Sequence, residues 1–214
     1  MTNPRSKSEG LSETCKTYLH ELALEKIYGI KKDFWNKYID KGLQVEDEAI
    51  QLASEALDWD FVVKNEERFK NDYITGEPDI LTDGLLADVK SSWDGSTFPF
   101  FDKDLKNKSY FWQMQGYMWL TDKQEAELVY CLVNTPFEIV EDEVRRAHWK
   151  ASLIDEDDTL RKAVESQHNF DHLPIKARVK RFIVKRDEKA IEAMKTRIEE
   201  CREYYETIKN QIQL

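Results

Sequence analysis

Several classes of protein are excluded by what this sequence lacks. No apolar run approaches the roughly 20 residues of a membrane-spanning helix. The opening stretch MTNPRSKSEGLSET has no apolar core of the secretory type, so a cytoplasmic protein without a membrane partner is expected. Cysteine is scarce. Cys15, Cys131 and Cys201 are odd in number and far apart, which argues against a disulfide framework, a CxxC metal site and a four-thiolate cluster. With 7 Gly and 5 Pro there is no low-complexity linker, and no internal repeat is visible, so one domain spanning 1–214 is expected. Positive charge is outnumbered as well. A net charge of −10 argues against a passive nucleic-acid coat, but it leaves room for an enzyme whose acids bind metal and whose basic residues are clustered.

What is present is a mixture of helical and strand patterns. Helices are expected at 12–28 with Gly29 as C-cap, at 45–57, and at 109–120 with Asn107 or Ser109 as N-cap. Further helices are expected at 139–152 and 157–167, and a long one follows Asp187. Strands are expected at 61–68, 73–81, 85–91, 128–133 and 179–185. The interleaving implies an α/β (α+β) fold with a central mixed β-sheet flanked by helices.

The stretch TGEPDILTDGLLADVKSS, residues 75–92, carries an acid inside each of two apolar strands. Asp83-Gly84 is a two-residue hairpin signal. With those two at the tip, Leu81 faces Leu86, Ile80 faces Ala87 and Asp79 faces Asp88. Directly opposed like charges destabilise a sheet unless something sits between them. A divalent cation does so naturally, since hard Mg²⁺ or Mn²⁺ takes carboxylate oxygens, a main-chain carbonyl and several waters. Lys90 lies on the same side of the strand as Asp88, where it can hold a water or neutralise a phosphate.

Gly76-Glu77-Pro78-Asp79 followed by Asp88-Val89-Lys90 resembles the signature of the PD-(D/E)XK nuclease superfamily. Upstream, Lys41-Gly42 through Glu46-Asp-Glu48 resembles that family's helix with an acid four residues after a glycine. Glu46 is the better match and Glu48 the reserve. Downstream, Ser109 to Trp119 resembles the glutamine-rich helix of lambda-type and YqaJ-like phage exonucleases and RecB-like nucleases. Gln113 and Tyr117 share one face there, and Gln115 is a further candidate for DNA contact. Asp88 departs from the subgroup, where glutamate is commoner.

The resemblance implies a restriction-endonuclease-like core at about 41–135, with a helical N-terminal extension and a helical, basic C-terminal one at about 136–214. It implies a metal site of Asp79, Asp88, Val89 and Glu46 holding Mg²⁺, with Mn²⁺ able to substitute. Lys90 would act in catalysis with those acids, and Gln113 would orient Lys90 or the scissile phosphate. It further implies double-stranded DNA ends as substrate, 5′→3′ digestion, phage-type recombination in a bacterial host cytoplasm, a homo-oligomeric (trimeric) ring and a single-strand annealing partner. The alternatives are a RecB-like endonuclease or end-processing nuclease, and a non-catalytic DNA-end-binding protein.

Three other features bear on function. Lys176, Arg178, Lys180 and Arg181 belong to a basic cluster, and the three even-numbered members would share one face of an extended segment tracking phosphates. WDGSTFPFF, residues 93–101, follows the hairpin with aromatics suited either to base stacking or to local burial. His168 and His172 carry no zinc signature and are expected to be ordinary surface histidines.

Overall fold

The computed structural model describes residues 10–32, 35–60 and 62–212. They fall into two compact units, one formed by the chain ends (to 34 and from 187) and one by 35–186.

The first unit pairs α1 (Glu13–Tyr28) with α7 (Glu188–Ile212). Ser12 caps α1 by accepting from the Cys15 amide at 3.2 Å, and Gly29 ends it at φ +69°, the left-handed conformation a C-terminal glycine permits. Cys15, Leu19 and Ala23 of α1, with Leu11 just before it, pack against Cys201 and Ile208 of α7.

The second unit contains α2 (Lys37–Gln44), α3 (Glu46–Leu57), β1 (Phe69–Lys70), β2 (Thr75–Gly76), β3 (Ile80–Leu81), β4 (Leu86–Ser91), α4 (Lys108–Thr121), β5 (Glu125–Cys131), α5 (Phe137–Lys150), α6 (Asp158–His168) and β6 (Val179–Lys185). A four-stranded sheet runs β3-β4-β5-β6, with β4 and β5 parallel and the other pairs antiparallel. This is the expected mixed sheet. Ala49, Ile50, Leu52 and Ala53 of α3 cover the face that carries Ile80, Ala87, Val89 and Val129. Met114 and Met118 of α4 cover the face that carries Leu86, Leu128 and Val184. The alternation of strand side chains therefore sends Asp88 and Lys90 to the α4 face.

The hairpin has the expected register, Ile80 opposite Ala87 and Leu81 opposite Leu86. Its turn is closed in an unexpected way. Gly84 is not among the positive-φ residues, and the Leu85 amide donates to Thr82 Oγ1 at 3.0 Å while the Thr82 amide donates to the Leu85 carbonyl at 2.8 Å. The Thr82 hydroxyl replaces one main-chain acceptor.

Two strand expectations need correction. Residues 62–68 form no strand, and Phe61 lies outside the described residues. Asn65 holds that stretch as coil by bonding the carbonyls of Pro78 and Glu67 through its side-chain amide. The expected strand at 73–81 is divided into β2 and β3, because Pro78 has no amide to give a ladder. The helix α2 was not expected; Asn36 caps it by accepting from the Tyr38 amide at 2.8 Å.

Candidate active site

β4 is the strand that builds the site. It lies between β3 and β5, so Leu86 to Val89 are buried and Asp88, at 1% exposure, sits in the interior. Asp79 immediately precedes β3, and its carboxylate accepts from the Val89 amide at 2.6 Å. An extended residue points its N–H and C=O to the same strand edge, so the Val89 carbonyl is turned toward the Asp79 side as well.

Burial pushes the Asp79 carboxyl up to about 6, with the Asp88 charge adding to it and the Val89 amide opposing. Burial likewise raises Asp88, against the pull of Lys90. Lys90 forms an ion pair with Asp88. Burial acts to lower its ammonium pKa, but Asp88, with Asp79 behind it, outweighs that and leaves Lys90 above its ordinary value. The two aspartates therefore favour the charged form of Lys90. Its Nζ stands 5.5 Å over the Tyr110 ring.

Gln113 and Tyr117 project from α4 toward Asp88. Gln113 Nε2 donates to the Tyr117 hydroxyl at 2.9 Å and more weakly to Asp88 Oδ1 at 3.4 Å. Gln113 thus touches Asp88, the ion-pair partner of Lys90. Burial, then the Asp88 charge, pushes Tyr117 up to about 12, so its hydroxyl stays protonated. Gly76 has a physical reason here, since a Cβ on it would lie 2.8 Å from Tyr117 Cε1 and 3.0 Å from Leu120 Cδ1.

Glu46 opens α3 and pairs with Lys64 at 2.7 Å. Its charge reaches both aspartates and raises both. Glu48 is exposed and its charge acts on Lys41, whereas that of Glu46 reaches the aspartates. Among the described residues no three His, Cys, Asp or Glu side chains form a ready metal-binding group. The donors that do converge are two carboxylates and a main-chain carbonyl. Asp88 Oδ2 is buried and, beyond its ion pair with Lys90, accepts no well-aligned hydrogen bond. Such an all-oxygen set fits Mg²⁺, which binds through one or two carboxylates and keeps several waters.

Other sequence candidates are displaced from this role. Gln115 is fully buried and donates to the Lys185 carbonyl at 2.8 Å, tying α4 to β6, so it cannot reach DNA. Arg178 is buried too, its Nε donating to the Leu132 carbonyl at 2.9 Å. Lys176 lies in a one-turn 3-10 helix, so the three even-numbered basic residues do not share one extended face. Arg181 is exposed and paired with Glu127 at 3.1 Å. Lys180 does lie on the active-site face, in register through Tyr130 with Lys90. His172 is exposed as expected, but His168 is buried, bonded to Thr135 and stacked edge-on with Trp93.

The first residue of the helix motif has a structural part that the motif did not announce. Lys41, at 1% exposure, donates from Nζ to the carbonyls of Ser92, Trp93 and Val133 at 2.8, 2.9 and 3.0 Å. It fastens the end of β4, just beyond Lys90, to the chain that leaves β5. Burial lowers its pKa to about 8, with Asp94 and Glu48 opposing. No sequence pattern distinguishes a lysine of this kind from a surface one.

No known protein-family profile matches the chain, and no curated protein matches it. Solved structures do. A phage-related exonuclease from Haemophilus somnus 129PT is 31% identical, over 99% of this chain and 91% of that one, with a TM-score of 0.78. An alkaline exonuclease from Laribacter hongkongensis matches at 16% identity and TM-score 0.64, over 100% of this chain and 86% of that one. The same enzyme in complex with dAMP matches at 17% identity and TM-score 0.61, over 92% and 83%. At these lower identities the likeness is one of fold.

Proposed function

The chain belongs to the phage-related, lambda-type exonucleases of the PD-(D/E)XK superfamily, and from that membership we propose that it is a metal-dependent deoxyribonuclease digesting double-stranded DNA from its ends, 5′→3′. The observation that carries this reading is the buried Asp88, with Lys90 paired to it and the half-buried Asp79 bonded to the next residue of the strand.

Asp79, Asp88 and the Val89 carbonyl would hold Mg²⁺, or Mn²⁺ in its place, with Glu46 completing the site. Bound there, the ion would supply an activated water and neutralise the leaving oxygen. Lys90, kept cationic by Asp88, offers its ammonium to a phosphate oxygen and to the charge that develops in the transition state. Gln113, braced by the Tyr117 hydroxyl, holds the Asp88 carboxylate in its rotamer. Lys180, in register with Lys90 through Tyr130, would offer its charge to the backbone of a bound strand. From the family we extend the proposal to a trimeric ring and to recombination beside a single-strand annealing protein. Among the described residues no helix is long and apolar enough to cross a membrane.

The test is digestion of linear and closed-circular duplex DNA with Mg²⁺, with EDTA, and with the Lys90→Ala variant. Degradation of linear DNA alone, stopped by EDTA and by the substitution, is expected, and end-labelling then reads polarity. Cutting of the circle would make the protein an endonuclease. Binding of ends without cleavage would make it an end-binding protein.

A further inference from the structure

We propose that an aromatic pocket beside Lys90 receives one unstacked nucleobase, that of the terminal nucleotide of the strand being cut. The inference rests on the nuclease reading above and adds a base subsite to it. The chain leaving β4 borders an open pocket of about 280 Å³ against the sheet. Phe100 and Phe101 wall it, Tyr130 and Phe182 line it from the sheet, and Asp102 and Asn107 stand at its polar edge.

Its position follows from strand register. Tyr130 is the β5 partner of Lys90, so the two side chains leave the same face of adjacent strands, roughly 4.7–4.9 Å apart. The Tyr110 ring joins them, lying 5.5 Å below Lys90 Nζ and 6.0 Å from the Tyr130 ring, and Tyr130 meets Phe182 edge-on at 5.9 Å. An aromatic floor therefore begins at the lysine and runs into the pocket. A phosphate held at Lys90 leaves its own base one strand away, over that floor.

The chemistry of the pocket suits a base held by its faces. Asp102 is ion-paired with Lys106, and Asn107 Oδ1 is committed to capping α4. The aromatic rings therefore provide the contact, and they accept any base. A cavity of about 280 Å³ is at the low end for small-ligand sites and admits one nucleotide's base and sugar, not a stacked pair. Phe101 is 96% exposed and Phe100 is 39% exposed, so two large rings stand in water at the pocket until something covers them. A base reaches them only by leaving the duplex stack.

The experiment is an anisotropy titration in EDTA of a 5′-phosphorylated, fluorescein-labelled duplex whose terminal nucleotide is either intact or abasic. Wild-type protein should bind the abasic end more weakly by about 5- to 150-fold, the equivalent of one stacked base. The Phe100→Ala/Phe101→Ala double variant should bind both ends alike, at the abasic level, while keeping the wild-type melting temperature. Phe101→Ala alone, at the most exposed ring, serves if the double variant does not fold. Equal wild-type affinity for the two ends, or a preference that survives in the variants, overturns the pocket. Parallel digestion with Mg²⁺ separates the two readings. Discrimination without cleavage keeps the pocket and defeats the nuclease, and cleavage without discrimination does the reverse.

Discussion

Taking the carboxylate of Asp88, and in part that of Asp79, out of water is costly, and the cost has a pH signature. Asp79 has its pKa raised from the ordinary 3.8 to about 6, chiefly by burial. An acid with a raised folded-state pKa favours folding while it is protonated. That contribution is complete below 3.8 and is lost as pH rises through about 6. Asn in its place never ionises and can still accept from the Val89 amide. In EDTA at pH 8, Asp79→Asn should therefore melt above wild type, and the advantage should vanish as pH falls below about 6. The same variant should cleave no DNA. Thermal melts across pH check the first statement, and a digestion assay the second. Gly76 makes a different kind of demand. Gly76→Ala drives a methyl into the Tyr117 ring, which braces Gln113 against Asp88. Overpacking of this kind costs about 1–3 kcal/mol, and a displaced brace should lower kcat by roughly ten- to a hundredfold. Urea unfolding and steady-state kinetics measure the two effects separately.

At the scale of elements, the hairpin was the most legible part of the chain. Its register follows from Asp83-Gly84 and the two-residue alternation of strands, and the structure keeps it even though Thr82 closes the turn. Helix ends were readable for a similar reason: Ser12, Asn107, Asp157 and Asp187 cap locally, within three residues of the amides they accept from. The joining of β4 to β5 was not readable. Lys41 reaches carbonyls 51, 52 and 92 residues away, and nothing in its neighbourhood announces it. Lys41→Met keeps the length of the side chain but leaves three carbonyls without their donor, and should destabilise the fold by at least about 2 kcal/mol. Chemical denaturation gives the number. A loss of activity greater than the loss of folded protein would show that the β4 end also positions Lys90.

For the whole molecule, the net charge of −10 finds part of its meaning in the site, where Glu46, Asp79 and Asp88 repel one another. A cation that binds the folded chain and not the unfolded one stabilises it by mass action, about 2.7 kcal/mol at one hundred times Kd. Mg²⁺ should therefore raise the melting temperature of wild type at pH 8, and should leave Asp88→Asn nearly unmoved; differential scanning fluorimetry with a Mg²⁺ series decides it. Spacing is enough to order the chemistry: an acid at a helix start, an acid on each arm of a hairpin with a lysine two residues after the second, a glutamine and a tyrosine one helical turn apart. Those relations depend on spacing along a single element, and strand and helix periods carry them. Only the tertiary structure decided which polar side chains face the site and which are consumed in the core. Gln115 and Arg178 read as DNA contacts in the sequence, yet both are spent on main-chain carbonyls of β6 and of the residue after β5. Burial is set by what packs on top of a residue. For these two, the covering segments come from distant parts of the chain, which no local pattern records.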